Sequence, residues 1–203
     1  MEKEKKLRIL AAGDLHGDSK ISENLSKKAE KVNVDLIILS GDITSPIESE
    51  NLLKPFKKRN QKVLLLPGNW DSFATIDFLA ELYGMKNIHG YSVKYKNVGI
   101  FGAGGAVGFN ISEKELFNTL EKGSKRLDAE GVKKKIMVTH MHAKDTKAEF
   151  SGIPGSKSIK EIIKKLQPDI FIHSHIHEAE GIEDRIGKTK IFSVGKKGRI
   201  FEI

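Results

Sequence analysis

Short continuous apolar runs alternate with amphipathic stretches along the whole chain. Residues 7–12, 34–39 and 62–66 are apolar runs of strand length. Unbroken rather than alternating hydrophobicity is the pattern of parallel strands covered on both faces. Between them, residues 20–32 carry Ile21, Leu25 and Ala29 at helical spacing, and Ser45-Pro46 predicts a helix start with proline in its first turn. A helix bearing Phe73, Ile76, Leu79 and Leu82 on its apolar face follows the third run and stops near Gly84. Strand, helix, strand, helix, strand in this order predicts a parallel α/β layer.

The second half is patterned differently. Residues 91–95 and 98–101 predict a β-hairpin turned at Lys96-Asn97, followed by the glycine-rich 102–105 loop. Ser112 and Glu115 have capping-box spacing, which opens a helix running to about residue 130. Residues 136–139 are a strand ending at His140, and 141–157 read as a loop. Ser158 and Glu161 form a second capping box, for a helix carrying Ile159, Ile162, Ile163 and Leu166 that stops before Pro168. The apolar run 170–172 leads into His173-Ser174-His175-Ile176-His177, and two more strand-like runs, 190–194 and 199–203, close the chain around a glycine turn. With no internal repeat or linker, the pattern predicts one domain over residues 1–203 with two sheets.

Composition narrows the chemistry. The chain has no cysteine, so disulfides and thiolate metal sites are excluded and a metal must be held by nitrogen and oxygen. The formal net charge of +8 raises the prospect of a polyanionic partner. The lysines, however, are spread over many segments, from Lys5-Lys6 to Lys196-Lys197, which fits solvated faces better than a nucleic-acid groove. No apolar run approaches a membrane span, and no signal-peptide core follows the charged N-terminus, so a cytoplasmic location is expected.

Candidate chemistry sits where the strands end. The turns after the apolar runs hold Asp14-x-His16, Gly41-Asp42, Gly68-Asn69, His140 and His175-x-His177. Ligands of α/β sheets bind at the carboxyl ends of strands, and clustered His and Asp are the usual form of a hydrolytic metal site. In order, spacing and context these motifs resemble the calcineurin-like metallophosphoesterase family, and the ending from His175 looks most like its branch related to cyclic-nucleotide phosphodiesterases. The resemblance implies two mixed β-sheets packed face to face with helices outside, a four-layer αββα sandwich. It implies two divalent transition-metal ions, Mn²⁺ first, with Fe, Zn²⁺, Co²⁺ or Ni²⁺ as alternatives. Asp42 would bridge them, Asp14, His16 and His177 would complete one site, and Asn69, His140 and His175 the other. The implied reaction is hydrolysis of a phosphodiester, or of a phosphomonoester, by a metal-bridging hydroxide, with a small phosphorylated molecule as substrate.

Two departures from the family pattern bear on mechanism. Trp70 stands where relatives often carry a histidine that protonates the leaving group, and indole cannot act as an acid. His142, two residues beyond His140, is the candidate substitute, so Asp42, Asn69 and His142 form the expected catalytic set. Ser174 stands where relatives usually have glycine. His173 is read as support for the ligand pair or as a core residue, His89 as structural, and residues 143–157 and 102–110 as the frame of the substrate pocket. A nuclease, or a metal-binding scaffold weakened by Trp70, is the alternative reading.

Overall fold

A computed structural model describes residues 6–45 and 51–203. The helix start expected at Ser45-Pro46 runs into residues 46–50, outside the described residues. The first sheet is built from β1 (Arg8–Ala12), β2 (Leu36–Ser40), β3 (Val63–Leu66) and the short β4 (Lys86–Asn87), all parallel. Helices α1 (Ser19–Lys31), α2 (Lys54–Lys58) and α3 (Phe73–Tyr83) connect them. The second sheet holds β5 (Ser92–Tyr95), β6 (Val98–Ala103), β7 (Lys134–Thr139), β8 (Ile170–His173), β9 (Glu183–Ile186) and β10 (Thr189–Ser193) in the order β5-β6-β7-β8-β10-β9. Helices α4 (Glu113–Ala129) and α5 (Lys157–Leu166) belong to this half.

The continuous apolar runs work by dividing their residues between two faces. In β1, Ile9 and Ala11 point into a core shared with the second sheet, where they meet Ile100, Ile136, Val138 and Ile172. Leu10 and Ala12 point the other way, towards Leu25 and Ala29 of α1. In the second sheet, Phe101, Met137 and Phe171 face Leu116 and Leu120 of α4 and Ile159 and Ile162 of α5. The result is the expected four-layer αββα sandwich with two mixed sheets face to face. Each fully buried Ile or Leu in these layers contributes about 2 kcal/mol of transfer free energy.

Pairing and capping depend on partners distant in the chain. The final strand, β11 (Arg199–Glu202), does not share a sheet with β10. It crosses over and pairs antiparallel with β1, where Arg8 and Glu202 form an ion pair at 2.7 Å. The predicted hairpin is present, with β5 antiparallel to β6. Helix α4 has its capping box, but α5 does not use Ser158. Ser156, two residues earlier, accepts the Ile159 N–H, and the Glu113 carboxylate takes the Lys157 and Ser158 N–H groups. A carboxylate from another helix thus does what Glu161 was expected to do. On α3, Ile76 and Ala80 are buried while Leu82 is exposed, so the apolar face is narrower than the spacing suggested. Among the described residues, no helix is long and apolar enough to cross a membrane.

Candidate metal centre

The carboxyl ends of five strands meet at one edge of the sandwich. Asp14 follows β1, Asp42 follows β2, Asn69 follows β3, His140 follows β7, and His175 and His177 follow β8. The loops are stitched together by backbone hydrogen bonds: Asp14 N–H to Gly41 O at 3.0 Å, His16 N–H to Asp42 O at 2.8 Å, and Ser174 N–H to His140 O at 3.0 Å. Asp14, His16, Asp42 and His175 all have left-handed backbones, with φ of 56°, 47°, 49° and 73°. Such conformations are uncommon for non-glycine residues and concentrate where the surrounding structure forces a side chain into a site.

Two glycines make room for these side chains. A Cβ on Gly41 would collide with the His140 ring at Nδ1, and one on Gly68 would collide with the Asp42 carboxylate. The Gly-Asp and Gly-Asn pairs of the sequence therefore have a steric reason as well as a chemical one.

The side chains form two clusters. Asp14, His16 and His177 offer ligand atoms within 4.8 Å of one another, and so do Asp42, His140 and His175. In the first, His16 Nε2 and His177 Nε2 are 3.0 Å apart, with Asp14 Oδ1 3.9 Å from the latter. In the second, His140 Nε2 lies 3.1 Å from His175 Nδ1 and 2.9 Å from Asn69 Oδ1. Asp42 joins the two: its Oδ2 is 3.3 Å from His140 Nε2 and 4.0 Å from His16 Nε2, while its Oδ1 accepts the Trp70 N–H at 2.9 Å. All seven expected ligands thus lie at this edge.

The hydrogen-bond balance fits a cation. His140 Nδ1 faces the carbonyl of Ser40 at 3.0 Å, which can only accept, so that nitrogen carries a proton. Its Nε2 then faces two oxygens, from Asn69 and Asp42. Burial opposes protonation of His140, but the Asp42 carboxylate prevails and raises its pKa. Burial likewise opposes ionisation of Asp42, and the His140 and Trp70 contacts outweigh it and lower its pKa. A proton on His140 Nε2 occupies the position a metal ion would take. In the other cluster, Asp14 Oδ2 is buried without a hydrogen-bond partner, and burial pushes the Asp14 pKa up to about 6. Burial first, and then neighbouring His140, depress His175 to about 4, leaving a neutral imidazole able to ligate.

Supporting groups were less legible in the sequence. Ser174, the residue in place of glycine, donates its hydroxyl to Ser40 O at 2.6 Å and lies 3.1 Å from His140 Nδ1, so it steadies the ring from behind. Asp71 is buried and accepts from the N–H groups of Ile43, Thr44 and Gly68 at 3.0, 2.8 and 2.9 Å, clamping the Asp42 and Asn69 loops together. Its place two residues after Asn69 was the available signal. Asn110 Nδ2 donates to Gly68 O at 3.0 Å from the opposite side. His89 accepts the Gly104 N–H at 3.0 Å, a structural contact.

His142 does not occupy the setting expected of an acid. It is 0% exposed, its Nε2 lies 3.2 Å from Ile153 O, and its ring stacks on His175 at 6.4 Å between centroids. Burial lowers its pKa. It sits behind His175 rather than beside open space. His173 is also buried, and burial takes its pKa down to about 3. Trp70, by contrast, is 59% exposed and stands edge-on to His16 at 6.4 Å. Clefts flank the centre on two sides. One of about 510 Å³ is lined by Thr44, Trp70, Ser72 and Phe78. The other, about 360 Å³, reaches His175 and is lined from the 107–109 and 141–157 segments.

Known structures share the architecture. The protein TT1561 of Thermus thermophilus superposes with a TM-score of 0.76 at 16% identity, over 98% of this chain and 99% of that one. An archaeal phosphodiesterase gives 0.55 at 15% identity, over 97% and 99%. A dimetal phosphatase from Danio rerio gives 0.59 at 12% identity, over 95% and 88%. At these identities the likeness is one of fold. No curated protein matches the sequence. The family model for calcineurin-like phosphoesterases matches residues 7–179, a span that takes in both side-chain clusters. With fold, ligand order and family model in agreement, the chain belongs to the calcineurin-like phosphoesterase family.

Proposed function

We propose that this protein is a dinuclear-metal phosphoesterase that hydrolyses small phosphodiesters in preference to monoesters. The observation that carries this is the single carboxylate oxygen, Asp42 Oδ2, within reach of both histidine clusters. Asp14, His16, Asp42 and His177 would hold one ion, and Asp42, Asn69, His140 and His175 the other. Bound there, two divalent ions supply Lewis acidity and acidify water for attack on phosphorus. A set of four imidazole nitrogens with few oxygen donors suits Mn²⁺, Fe, Co²⁺, Ni²⁺ or Zn²⁺ better than Ca²⁺. Only two carboxylates, Asp14 and Asp42, stand in the two clusters, so these residues would leave a pair of bound divalent ions with a net positive charge suited to a phosphate ester.

The preference for diesters rests on Trp70. No imidazole stands at that position to protonate a leaving group, so esters with good leaving groups are favoured. A small substrate, rather than nucleic acid, fits the scattered lysines, and a cytoplasmic setting is part of the same reading. The name of the archaeal neighbour, a phosphodiesterase, is consistent with this choice.

The test is a panel of aryl diesters, aryl monoesters and cyclic phosphates, run with Mn²⁺ alongside elemental analysis. About two ions per chain and fastest turnover of the aryl diester are expected. A metal content near zero under metal-replete conditions would overturn the reading. His142→Ala gives a second check. Because His142 lies behind His175, the substitution is expected to slow alkyl and aryl esters by the same factor, about tenfold or more. A selectively larger loss for alkyl esters would return His142 to the acid role.

A further inference from the structure

The two clefts beside the metal centre differ in charge. The one on the Trp70 side is lined by aromatics, leucines and hydroxyls, with no cation among the described residues. The one on the His175 side combines an apolar wall, including Phe109 and Ile153, with Lys144 and Lys157. Phe109 is 71% exposed, an aromatic face with nothing packed over it among the described residues.

With Lys144 and Lys157 against one carboxylate, the lining of this cleft holds one positive charge in excess. Glu113 also lines this cleft, but its carboxylate is fully engaged at the start of α5. It accepts from the Ser156 hydroxyl at 2.6 Å and from the Lys157 and Ser158 N–H groups at 3.0 and 2.9 Å. Asp145, next to Lys144, makes its ion pair with Lys160 and feels Lys144 only at longer range. Glu149 spends both oxygens on the N–H groups of Asp145 and Gly155. Among the described residues, neither Lys144 nor Lys157 forms a direct ion pair with a carboxylate.

Building on the phosphoesterase reading, we infer that the His175-side cleft is a specificity subsite for an ester group with a flat apolar portion and a second negative charge. The scissile phosphate would sit at the metals, the flat group against Phe109 and Ile153, and the second anion between Lys144 and Lys157. A neutral aryl group gains only the apolar contact. Desolvation beside the apolar wall strengthens the lysine contribution relative to an open surface.

The test uses two ligands that cannot be hydrolysed, phenylphosphonate and 4-carboxyphenylphosphonate, titrated calorimetrically into Mn²⁺-loaded protein. The carboxylated ligand is expected to bind about tenfold tighter, and Lys144→Met/Lys157→Met should reduce that advantage to below about twofold. Raising the salt concentration should erode the advantage in the wild type only. Phe109→Ala should weaken both ligands together. Equal affinities in the wild type, or an advantage that survives in the double variant, would overturn the subsite. Hydrolysis of an aryl diester by the same wild-type preparation separates the two ideas. If it proceeds while the ligands bind alike, the subsite alone fails; if it is absent with every metal offered, the phosphoesterase reading fails and the subsite with it.

Discussion

Asp42→Asn is expected to lower kcat for an aryl phosphodiester by about a thousandfold or more, equivalent to at least about 4 kcal/mol of transition-state stabilisation. The reason is in how the carboxylate is used. Oδ1 accepts the Trp70 N–H, so the oxygen of an asparagine amide would remain there. The amide NH₂ would then take the place of Oδ2, turning two hydrogens towards His140 and His16 where a cation belongs. Charge is lost, and the atom that joins the clusters changes from acceptor to donor. The fold should survive because the Trp70 contact is kept, and an unchanged circular dichroism spectrum would verify this. Activity within tenfold of wild type would remove Asp42 from the bridging position.

Asp14→Asn is expected to do something less intuitive: stabilise the metal-free protein while costing it one ion. Burial raises the Asp14 pKa from 3.8 to about 6. The folded chain therefore holds this proton more tightly than the unfolded chain does. The stability it contributes is fully present below about pH 4 and is lost as pH rises through 6. Above that, an ionised and largely unsatisfied carboxylate remains, at a cost of up to about 3 kcal/mol. Asparagine carries no such charge and tolerates the left-handed backbone at this position. The metal-free variant should melt several degrees above the metal-free wild type at pH 8, about 2–4 °C for each kcal/mol in a chain of this size. The difference should vanish near pH 4. Bound metal should fall from about two ions per chain to about one, with activity lost. A variant less stable than wild type at pH 8 would contradict the account. Function is placed here at the expense of stability in the empty protein, and the metal restores it.

Much of this could be read without coordinates because the signals are local. In the runs 7–12, 34–39 and 62–66 the polar residues Arg8, Asp35 and Lys62 stand only at the starts, and each run ends in a turn with a chemically active residue. The capping box at Ser112 is likewise complete within four residues. Seven candidate ligands in a fixed order could be matched to a family, and tertiary structure brought those same seven to one edge.

What only the tertiary structure decided are relations between residues far apart in the chain. The Ser156 cap of α5 is local, but the Lys157 and Ser158 N–H groups go to Glu113, more than forty positions earlier, a partner that the region around Ser158 does not reveal. β11 has the same apolar pattern whichever sheet it joins, and only the free edge beside β1 selects its partner. Nothing near Ser174 in the sequence shows that its hydroxyl meets Ser40 and His140, from the ends of two other strands. The spacing that puts His142 two residues after a ligand does not say that it turns inward behind His175, with the Ile153 carbonyl against it. Residue type and strand-end position are local properties, so the residues that could make a dinuclear centre were readable along the chain. Which oxygen faces both clusters, which carboxylate oxygen is left without a hydrogen bond and which lysines lack an ion pair depend on packing across two sheets, and only the folded chain sets those distances.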